Sequence, residues 1–520
     1  METPSILNDV LGPVMRGPSS SHTAGSYYIA RTVRDLLGEE PARAVFAFDP
    51  GGSYARTFRE QGVDLALTAG LLGLPITDRE FQAALVLARR RGLRLAFKIH
   101  HLETAEHPNT VEICLAGRKG RTLRATAKST GGGSFLVTAV DGWPVRIDGK
   151  SSAVLVRAAK AARPALLKAF PDGTHFVRKP DWSARGDEGL MALSLREPPG
   201  LAVRSMLNTV PGVKEWRTAN SVFFIQKGEP RFSSASEMVR LAEKKRWTLG
   251  RAALAYESVL LGLPEADVRK ELLRRYAIMK KSVEAGLNRR GLRLQLLRPT
   301  AHKILNAERS QRLAVGGLHA RAAARAMAAL HVSNSMGVVC AAPTGGSAGV
   351  IPGVLVTLAA ERNLASDAIA SSLAAAGAVG LIVAGRATFA AEVAGCQVEI
   401  GAAGAMAAAA VVEAAGGTAR QAADAAAISL QNTMGSVCDL VQGICEIPCH
   451  TRNAAAASAA FVCADLIMGG YENPVPLDDT IDASYAAGRM LPPELRCTAR
   501  GGLAVAPSAR RLPNLRKRKP

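Results

Sequence analysis

The uncharged stretch at residues 369–385, IASSLAAAGAVGLIVAG, decides how the C-terminal half of the chain folds. Its length approaches that of a membrane-spanning helix, which needs about 20 apolar residues. However, the stretch is rich in Ala and Gly and lacks the aromatic residues that mark membrane interfaces. We therefore predict a closely packed buried helix and no membrane association.

A similar helix-forming composition continues on both sides of this stretch. Residues 320–465 are dense in Ala and Gly, and from about residue 235 helix formers dominate, with Pro and Gly between them. We predict an all-helical, Ala/Gly-rich catalytic domain over 231–505, followed by a basic disordered tail at 506–520. Its small-residue helices also make a homodimer plausible.

The N-terminal part has a different pattern. Residues 1–150 are predicted to form a mixed α/β domain, because a helical stretch at 27–38 alternates with β-rich runs. These runs are ARAVFAF at 42–48, LRLAFKI at 93–99, NTVEICL at 109–115 and FLVTAV at 135–140. Residues 151–230 suggest strand, helix and strand, either a linker or a small ACT-like module. The fold class is therefore α+β and multidomain.

Composition narrows the class of protein. The 520 residues are 48% hydrophobic and 21% charged, which excludes a disordered or fibrous chain. Eight cysteines are too few for a disulfide scaffold, and the start METPSILNDV does not resemble a secretory signal, so we expect a cytoplasmic protein. The net charge of +21 is spread along the chain and aromatic residues are only 5%, which argues against nucleic-acid binding.

The first segment with candidate binding or catalytic residues is GPSSSHTAG at residues 17–25. Four hydroxyls and an imidazole follow one another without an intervening apolar residue. Hydroxyls beside free backbone N–H groups at a helix start can hold a carboxylate or a phosphate. A helix N-cap is the alternative, but a cap needs only one such residue, so we favour an anion site.

A glycine-rich loop and a set of cysteines complete the candidates. The loop APTGGSAGVIP at 342–352 leads into an apolar helix; it is not a P-loop, and a structural turn is an equal alternative. Cys396, Cys438, Cys445 and Cys449 lie in GCQVE, VCDL and GICEIPC. The intervals of 42 (438 − 396) and 11 (449 − 438) residues do not match C-x-x-C metal motifs, so spacing alone favours buried core cysteines.

Taken together, these segments resemble the bacterial iron–sulfur-dependent L-serine dehydratases (L-serine ammonia-lyases), in the form that fuses β and α portions. The resemblance covers most of the chain. It rests on GPSSSHTAG and, in the same order, on GSYA at 52–55, HPNT at 107–110, STGGG at 129–133, NSMG at 334–337 with the loop to 352, GCQVE at 395–399, NTMGSVCD at 432–439, IPC at 447–449 with Arg452 and Asn453, and GGLA at 501–504.

The resemblance implies deamination of L-serine to pyruvate and ammonia by β-elimination of water. It also implies a four-iron four-sulfur cluster on Cys396, Cys438 and Cys449, with no pyridoxal phosphate. Cys445 ranks below Cys449, which occupies the family position. The remaining cysteines are interpreted as buried or incidental: Cys114, Cys340, Cys463 and Cys497.

The resemblance further assigns site residues. Catalysis would involve His22, Ser20 and Thr344, with His22 as the first candidate for the base and an orienting role as its alternative. The residues implied to bind the amino-acid substrate are Ser19, Ser20, Ser21, His22, Thr23, Thr344, Gly345, Gly346 and Ser347.

Three positions depart from the family pattern. Gln61 replaces a family histidine and cannot titrate, Leu440 replaces a proline beside Cys438, and no cysteine follows Gly502 that could fold back into the site. The first departure raises an alternative: β-elimination from L-threonine or a thiol amino acid. A catalytically silent relative that binds an amino acid is a further alternative.

Overall fold

The structure is a computed structural model that describes residues 3–168 and 176–515. The strands of its N-terminal part are β1 Val14–Arg16, β2 Pro41–Phe48, β3 Arg94–Ile99, β4 Thr110–Gly117, β5 Thr122–Gly131, β6 Ser134–Val140 and β7 Trp143–Ile147. The helices there are α1 Gly25–Leu37, α2 Ser53–Thr57, α3 Val63–Leu72 and α4 Ala84–Arg90. The predicted mixed α/β part is confirmed, because the four strand runs and the helical stretch fall in β2, β3, β4, β6 and α1.

Strands β2 to β7 form one sheet in the order β3-β2-β4-β5-β6-β7. Only β2 and β3 are parallel; the other pairs are antiparallel. Helix α1 packs its buried residues Ile29 and Val33 into the core that also contains Val111 and Ile113 of β4. Burial of each such side chain contributes roughly 1.5–3 kcal/mol. This packing holds the start of α1, and with it the GPSSSHTAG segment, over one end of the sheet.

A second sheet follows in the middle of the chain. Its elements are β8 Ser152–Ala159, α5 Arg163–Lys168, β9 Phe176–Arg185, β10 Glu188–Leu195, α6 Leu201–Thr209 and β11 Val213–Ala219. The four strands are antiparallel in the order β11-β8-β10-β9. The predicted succession of strand, helix and strand is confirmed in β10, α6 and β11. The assignment as an ACT-like module stays a prediction.

The C-terminal part is dominated by helices. They are α7 Ala235–Lys245, α8 Leu249–Leu261, α9 Glu265–Asn288, α10 Ala301–Arg309, α11 Leu318–Asn334, α12 Val350–Arg362, α13 Ser366–Arg386, α14 Ala391–Ala394, α15 Ile400–Ala414, α16 Ala419–Gln431, α17 Cys449–Met468, α18 Leu477–Met490 and α19 Pro507–Arg510. One short strand, β12 Val338–Cys340, interrupts them.

The uncharged stretch at 369–385 lies within α13, which packs against α8 and α15 in the centre of the helical part. Helix α13 and the segment Cys396–Ala414 are long and apolar enough to span a membrane. However, 78% and 89% of their apolar windows are buried inside the protein. Small side chains let these helices pack closely against their neighbours. Both are therefore buried core helices, as predicted for α13.

The N-terminal segment does not stay with its own sheet, which corrects the simple division at residue 150. Ile6 and Val10 pack into the core of the helical part, and Glu257 of α8 accepts hydrogen bonds from the backbone N–H groups of Ile6 and Leu7, both at 2.9 Å. Strand β1 then pairs antiparallel with β12. The helical part is therefore not all-helical, because β12 supplies the partner that β1 requires.

The basic tail also differs from expectation up to residue 515. Leu512 packs beside Leu296 and Val441, and Gln442 Nε2 donates a hydrogen bond of 2.7 Å to its carbonyl. The disorder predicted from residue 506 therefore does not begin there, since apolar residues between the arginines anchor the chain. Residues 516–520 lie outside the described residues.

Candidate functional site

The hydroxyl segment lies where the two parts of the molecule meet. Strand β1 delivers it to a single π-helical turn, Ser20–Ala24, which opens α1. Ser19 caps this turn, since its hydroxyl accepts a hydrogen bond of 3.4 Å from the backbone N–H of His22. Thr23 donates its hydroxyl to the carbonyls of Ser19 and Arg16. Its hydroxyl is therefore engaged by the backbone, although the sequence suggested a substrate contact.

His22 is the centre of this segment and is fully buried. Its Nδ1 atom lies 3.1 Å from the hydroxyls of both Ser19 and Ser21 and 3.5 Å from Glu392 Oε1. Its Nε2 atom lies 3.2 Å from Ser53 Oγ, at the start of α2. Burial lowers the pKa of His22 to about 4, although Glu392 opposes this shift. The imidazole is therefore neutral near pH 7 and free to accept a proton.

Glu392 reaches this imidazole from the helical part. Its Oε1 atom accepts a hydrogen bond of 2.6 Å from Ser21 Oγ, between residues 371 positions apart. Burial raises the pKa of the Glu392 carboxyl, but His22, the Ser21 hydroxyl and His107 more than offset it, so the pKa lies below its ordinary value. An ionised carboxylate thus faces a neutral imidazole. Glu392 is not among the site residues predicted from the sequence.

The glycine-rich loop closes over the hydroxyl segment. A side chain at Gly345 would place its Cβ 2.9 Å from the backbone nitrogen of Ser20, so only glycine permits this approach. Thr344 Oγ1 lies 3.0 Å from Ser347 Oγ and donates a short hydrogen bond to Glu399. The structure therefore brings together the two segments that the sequence singled out separately.

Glu399 is a second buried carboxyl that the sequence analysis left without a role. Burial raises its pKa to about 7; Thr344 opposes this shift, and the neighbouring charge of Glu392 adds to it. Both glutamates interrupt an otherwise uncharged stretch between Arg386 and Glu413. That isolation is the signal that could have identified them.

Five buried cysteines gather beside this region. Interaction with the Cys396 and Cys497 thiols raises the pKa of the Cys438 thiol, and interaction with the Cys449 thiol raises that of Cys445. Electrostatic interaction between Cys445 and Cys497 links the two sets. Buried sulfurs from four separate segments therefore form one group, which we call the thiol group.

Cys497 corrects the sequence interpretation, in which it was incidental. Its backbone N–H donates to the Cys438 carbonyl at 2.9 Å, and the Cys438 N–H donates to the Leu495 carbonyl at 2.8 Å. A cysteine near the C-terminus therefore does fold back into the site, although it precedes Gly502. The pairing that places it spans some 60 residues, which no local motif reveals.

Within the part of the chain that the structure describes, the thiol group does not form a site for a single metal ion. Among the described residues, no three His, Cys, Asp or Glu side chains are arranged to hold one metal ion. In an iron–sulfur cluster each thiolate binds a different iron, so the sulfurs need not converge on one point. Arg452 lies 3.8 Å from Cys396 Sγ, and its charge also acts on Cys438 and Cys449. A cation therefore lies beside the three positions that the family resemblance implies.

Two further contacts join the halves of the site. Ser53 Oγ donates a hydrogen bond of 3.3 Å to the Cys497 carbonyl, so the hydroxyl that meets His22 also meets the thiol segment. Gln61, at the position of the family histidine, is buried and directs Nε2 to the Gly443 carbonyl at 3.4 Å. Gln61 therefore contributes a structural contact to the thiol side.

Known proteins resemble this chain over both parts. The family model for the serine dehydratase alpha chain matches residues 156–504. A probable L-serine dehydratase alpha chain of Bacillus subtilis is 37% identical over 281 residues, 54% of this chain and 94% of the relative. An L-serine dehydratase alpha chain of Peptoniphilus asaccharolyticus is 35% identical over 249 residues, covering 48% and 85%. A probable L-serine dehydratase beta chain of Bacillus subtilis is 39% identical over 148 residues, covering 28% and 66%.

Proposed function

Because the chain belongs to the serine dehydratase alpha chain family, we propose that it deaminates L-serine to pyruvate and ammonia. One observation carries the proposal: His22 is linked through Ser53 to the backbone of Cys497, whose thiol contacts that of Cys438. An imidazole, several hydroxyls and a group of buried thiols thus share one site. This combination suits removal of a proton and of a hydroxyl from the same small molecule.

We propose that Cys396, Cys438 and Cys449 hold a four-iron four-sulfur cluster. The buried thiols and the nearby Arg452 guanidinium fit such a group. When bound, the cluster supplies an iron with a position that no protein thiolate occupies, a Lewis acid for the substrate hydroxyl. The proposal requires no pyridoxal phosphate.

His22 is the proposed base for the α-proton. Its neutral imidazole can accept that proton, and the Glu392 carboxylate stabilises the imidazolium that results. Glu392 beside Nδ1 favours the proton on that nitrogen. Because Ser53 donates its hydroxyl hydrogen to the Cys497 carbonyl, the Nε2 lone pair is left to accept the α-proton. The substrate loses its α-proton and its β-hydroxyl, the latter leaving as water. The resulting 2-aminoacrylate tautomerises and hydrolyses to pyruvate and ammonia.

The other site residues bind and enclose the substrate. The hydroxyls of Ser19 and Ser21 lie against the imidazole on the N-terminal side, and Ser20 stands between them in the chain. Thr344 and Ser347, with Gly345 and Gly346, form the wall contributed by the helical part. All of these residues except the half-buried Ser19 are buried, which limits the access of water and strengthens the electrostatic interactions in the site.

A specific observation favours Glu399 as the second candidate for the base. Its carboxyl has a pKa of about 7, near the value at which general base catalysis is most efficient. Its contact with Thr344 places it on the same wall of the site. Exchange of the α-deuteron of L-[2-²H]serine separates the candidates: Glu399→Gln retains exchange if His22 is the base, and His22→Gln abolishes it.

A substrate panel tests the proposed function. Protein purified without oxygen is expected to be brown and to form pyruvate from L-serine faster than it forms 2-oxobutyrate from L-threonine or sulfide from L-cysteine. Faster elimination from L-threonine or L-cysteine supports the alternative that Gln61 raises. A colourless protein that binds L-serine without releasing a keto acid supports a silent relative.

Three expectations from the sequence stay predictions. These are a homodimer, a cytoplasmic location and the lack of a nucleic-acid partner. Size-exclusion chromatography with light scattering tests the first, cell fractionation the second and a gel-shift assay the third.

A further inference from the structure

Asn109 is a buried polar residue for which the fold provides no partner. Its side chain is 0% exposed, and neither Nδ2 nor Oδ1 forms a hydrogen bond with the described part of the chain. Buried amides in folded proteins are almost always hydrogen-bonded, because an unpaired donor or acceptor loses its interaction with water. An orphaned amide therefore points to a partner outside the chain itself.

The position of Asn109 places this amide at the site. Side chains alternate along a strand, so Asn109, just before β4, faces the same side as the buried core residues Val111 and Ile113. Ser129 of β5 donates its backbone N–H to the Asn109 carbonyl at 3.2 Å and lies on the same face. Helix α1 and its opening turn Ser20–Ala24 cover this face. The apolar face that carries Val111 and Ile113 therefore ends, at Asn109 and Ser129, in polar groups below the hydroxyl segment.

The neighbours of Asn109 are site residues. The backbone N–H of Asn109 donates to His107 Nδ1 at 3.1 Å, and His107 interacts electrostatically with Glu392. The carbonyl of the preceding Pro108 accepts a hydrogen bond of 2.8 Å from the backbone N–H of Ser53. Asn109 is thus one residue from a direct contact with the backbone of Ser53, whose hydroxyl meets His22.

We propose that the Asn109 amide binds the ammonium and carboxylate groups of the amino-acid substrate. Its Nδ2 donates to the carboxylate and its Oδ1 accepts from the ammonium, a pairing that uses both ends of an amide. The inference rests on the proposed function and deepens it, because Asn109 recognises the part common to all amino acids. The thiol side of the site then binds the β-substituent of the substrate.

The test combines binding with stability in the complete protein. Asn109→Leu has a similar shape but no hydrogen-bonding groups. We expect it to raise KM for L-serine and the inhibition constant of L-alanine, which lacks the β-hydroxyl, by the same factor of at least about tenfold. We also expect the thermal midpoint without ligand to stay equal or rise, because an unpaired amide is removed.

Asn453→Leu is the matched comparison for stability. The Asn453 amide donates to the carbonyls of Gly346 and Cys449, both at 2.9 Å. Its replacement should lower the thermal midpoint. Asn109→Ala, which cannot clash with its surroundings, repeats both measurements if Asn109→Leu fails to fold.

Two results would overturn the inference. One is a KM and an inhibition constant within twofold of the parent; the other is a lowered thermal midpoint for both Asn109 variants, which would reveal a partner within the protein. Calorimetric titration with L-alanine measures binding without turnover. Parent protein that fails to consume L-serine therefore contradicts the proposed function alone, and loss of L-alanine binding in Asn109→Leu still supports the role of Asn109.

Discussion

The two sides of the site are held in place by different forces. On the N-terminal side, His22 lies within hydrogen-bonding distance of Ser19, Ser21 and Ser53, and its ring packs edge-on against Tyr54. On the helical side, the thiols contact chiefly one another. Hydrogen bonds from neighbouring thiols, together with burial, raise the pKa of Cys438 and of Cys445 well above the ordinary value.

Because of this difference, the two sides differ in whether they must lose protons before the proposed cluster binds. Buried thiols with raised pKa values remain protonated, and metal ligation requires thiolates, so loading the helical side releases protons. The N-terminal side needs no such step, because the hydroxyls of Ser19 and Ser21 beside His22 are already engaged within the protein. We therefore expect loss of the cluster to alter the helical side and leave the hydroxyl segment in place.

The largest effect is expected from the proposed ligands. Cys396→Ala, Cys438→Ala and Cys449→Ala should each lose visible absorption and L-serine turnover, because a cluster with two thiolates is not retained. Cys463→Ala is the control, since this buried cysteine of α17 lies outside the thiol group. Iron analysis and absorption spectra provide the measurement. A full cluster in any one of the three variants contradicts the assignment of that ligand.

The other two members of the thiol group sharpen this comparison. Cys445→Ala and Cys497→Ala should keep both colour and turnover, because neither occupies a position that the family resemblance assigns to the cluster. Both are also buried, at 7% and 5% exposed against 1–3% for the proposed ligands, so burial does not exclude either as a ligand. Loss of iron in Cys497→Ala would move one ligand to the C-terminal segment.

The next largest effect concerns the carboxylate that joins the two sides. Glu392→Gln should lower kcat by about 100-fold, because the imidazolium of His22 loses its counter-charge. Glu392→Asp should recover part of the activity and retain the parent pH profile. Glu413→Gln is the control: Glu413 accepts hydrogen bonds from Gly250 and Ser371, away from the site. An unchanged kcat in Glu392→Gln contradicts the role.

The two buried titratable groups should have opposite effects on stability as pH changes. The pKa of His22 falls from 6.5 to about 4, so the unfolded chain binds more protons and stability falls as pH drops from 6.5 to 4, by about 3 kcal/mol. The pKa of Glu399 rises from 4.5 to about 7, so stability falls by a similar amount as pH rises from 4.5 to 7.

Thermal midpoints between pH 4.5 and 7 measure this pair of effects. As pH rises, the thermal midpoint of the parent should increase relative to that of His22→Gln. Over the same range it should decrease relative to that of Glu399→Gln. Midpoint curves that run parallel for the parent and both variants would show that neither group titrates differently on folding.

The smallest effect is expected at Gln61. Gln61→His restores the family residue next to the thiol side and should raise L-serine turnover by a few-fold. Its ring N–H can replace the amide as donor to the Gly443 carbonyl. A variant slower than the parent argues for a different substrate. Turnover with L-threonine, measured in parallel, then indicates which amino acid the site prefers.

Features set by local sequence could be predicted. The apolar stretch in α13 and the alternating strands β2, β4 and β6 follow from hydrophobic period and residue type. The hydroxyl segment and the three cysteines were identified because unusual residue types cluster in short motifs. These signals need no knowledge of distant contacts.

Features that depend on contacts between distant segments could not be predicted. Glu392 meets Ser21 across 371 positions, and Cys497 reaches Cys438 through a backbone bridge. Strand β12 was hidden because three residues carry no periodicity, and its partner β1 lies in the other half of the chain. The missing partner of Asn109 is likewise evident only in three dimensions.

The most direct test of the central claim is a Mössbauer spectrum of protein reconstituted with ⁵⁷Fe, recorded before and after addition of L-serine. We expect four irons per chain, and we expect L-serine to shift the spectrum of one iron site and to leave the other three unchanged. The claim is wrong if the spectra of all four irons stay the same after L-serine is added, or if the chain takes up no iron.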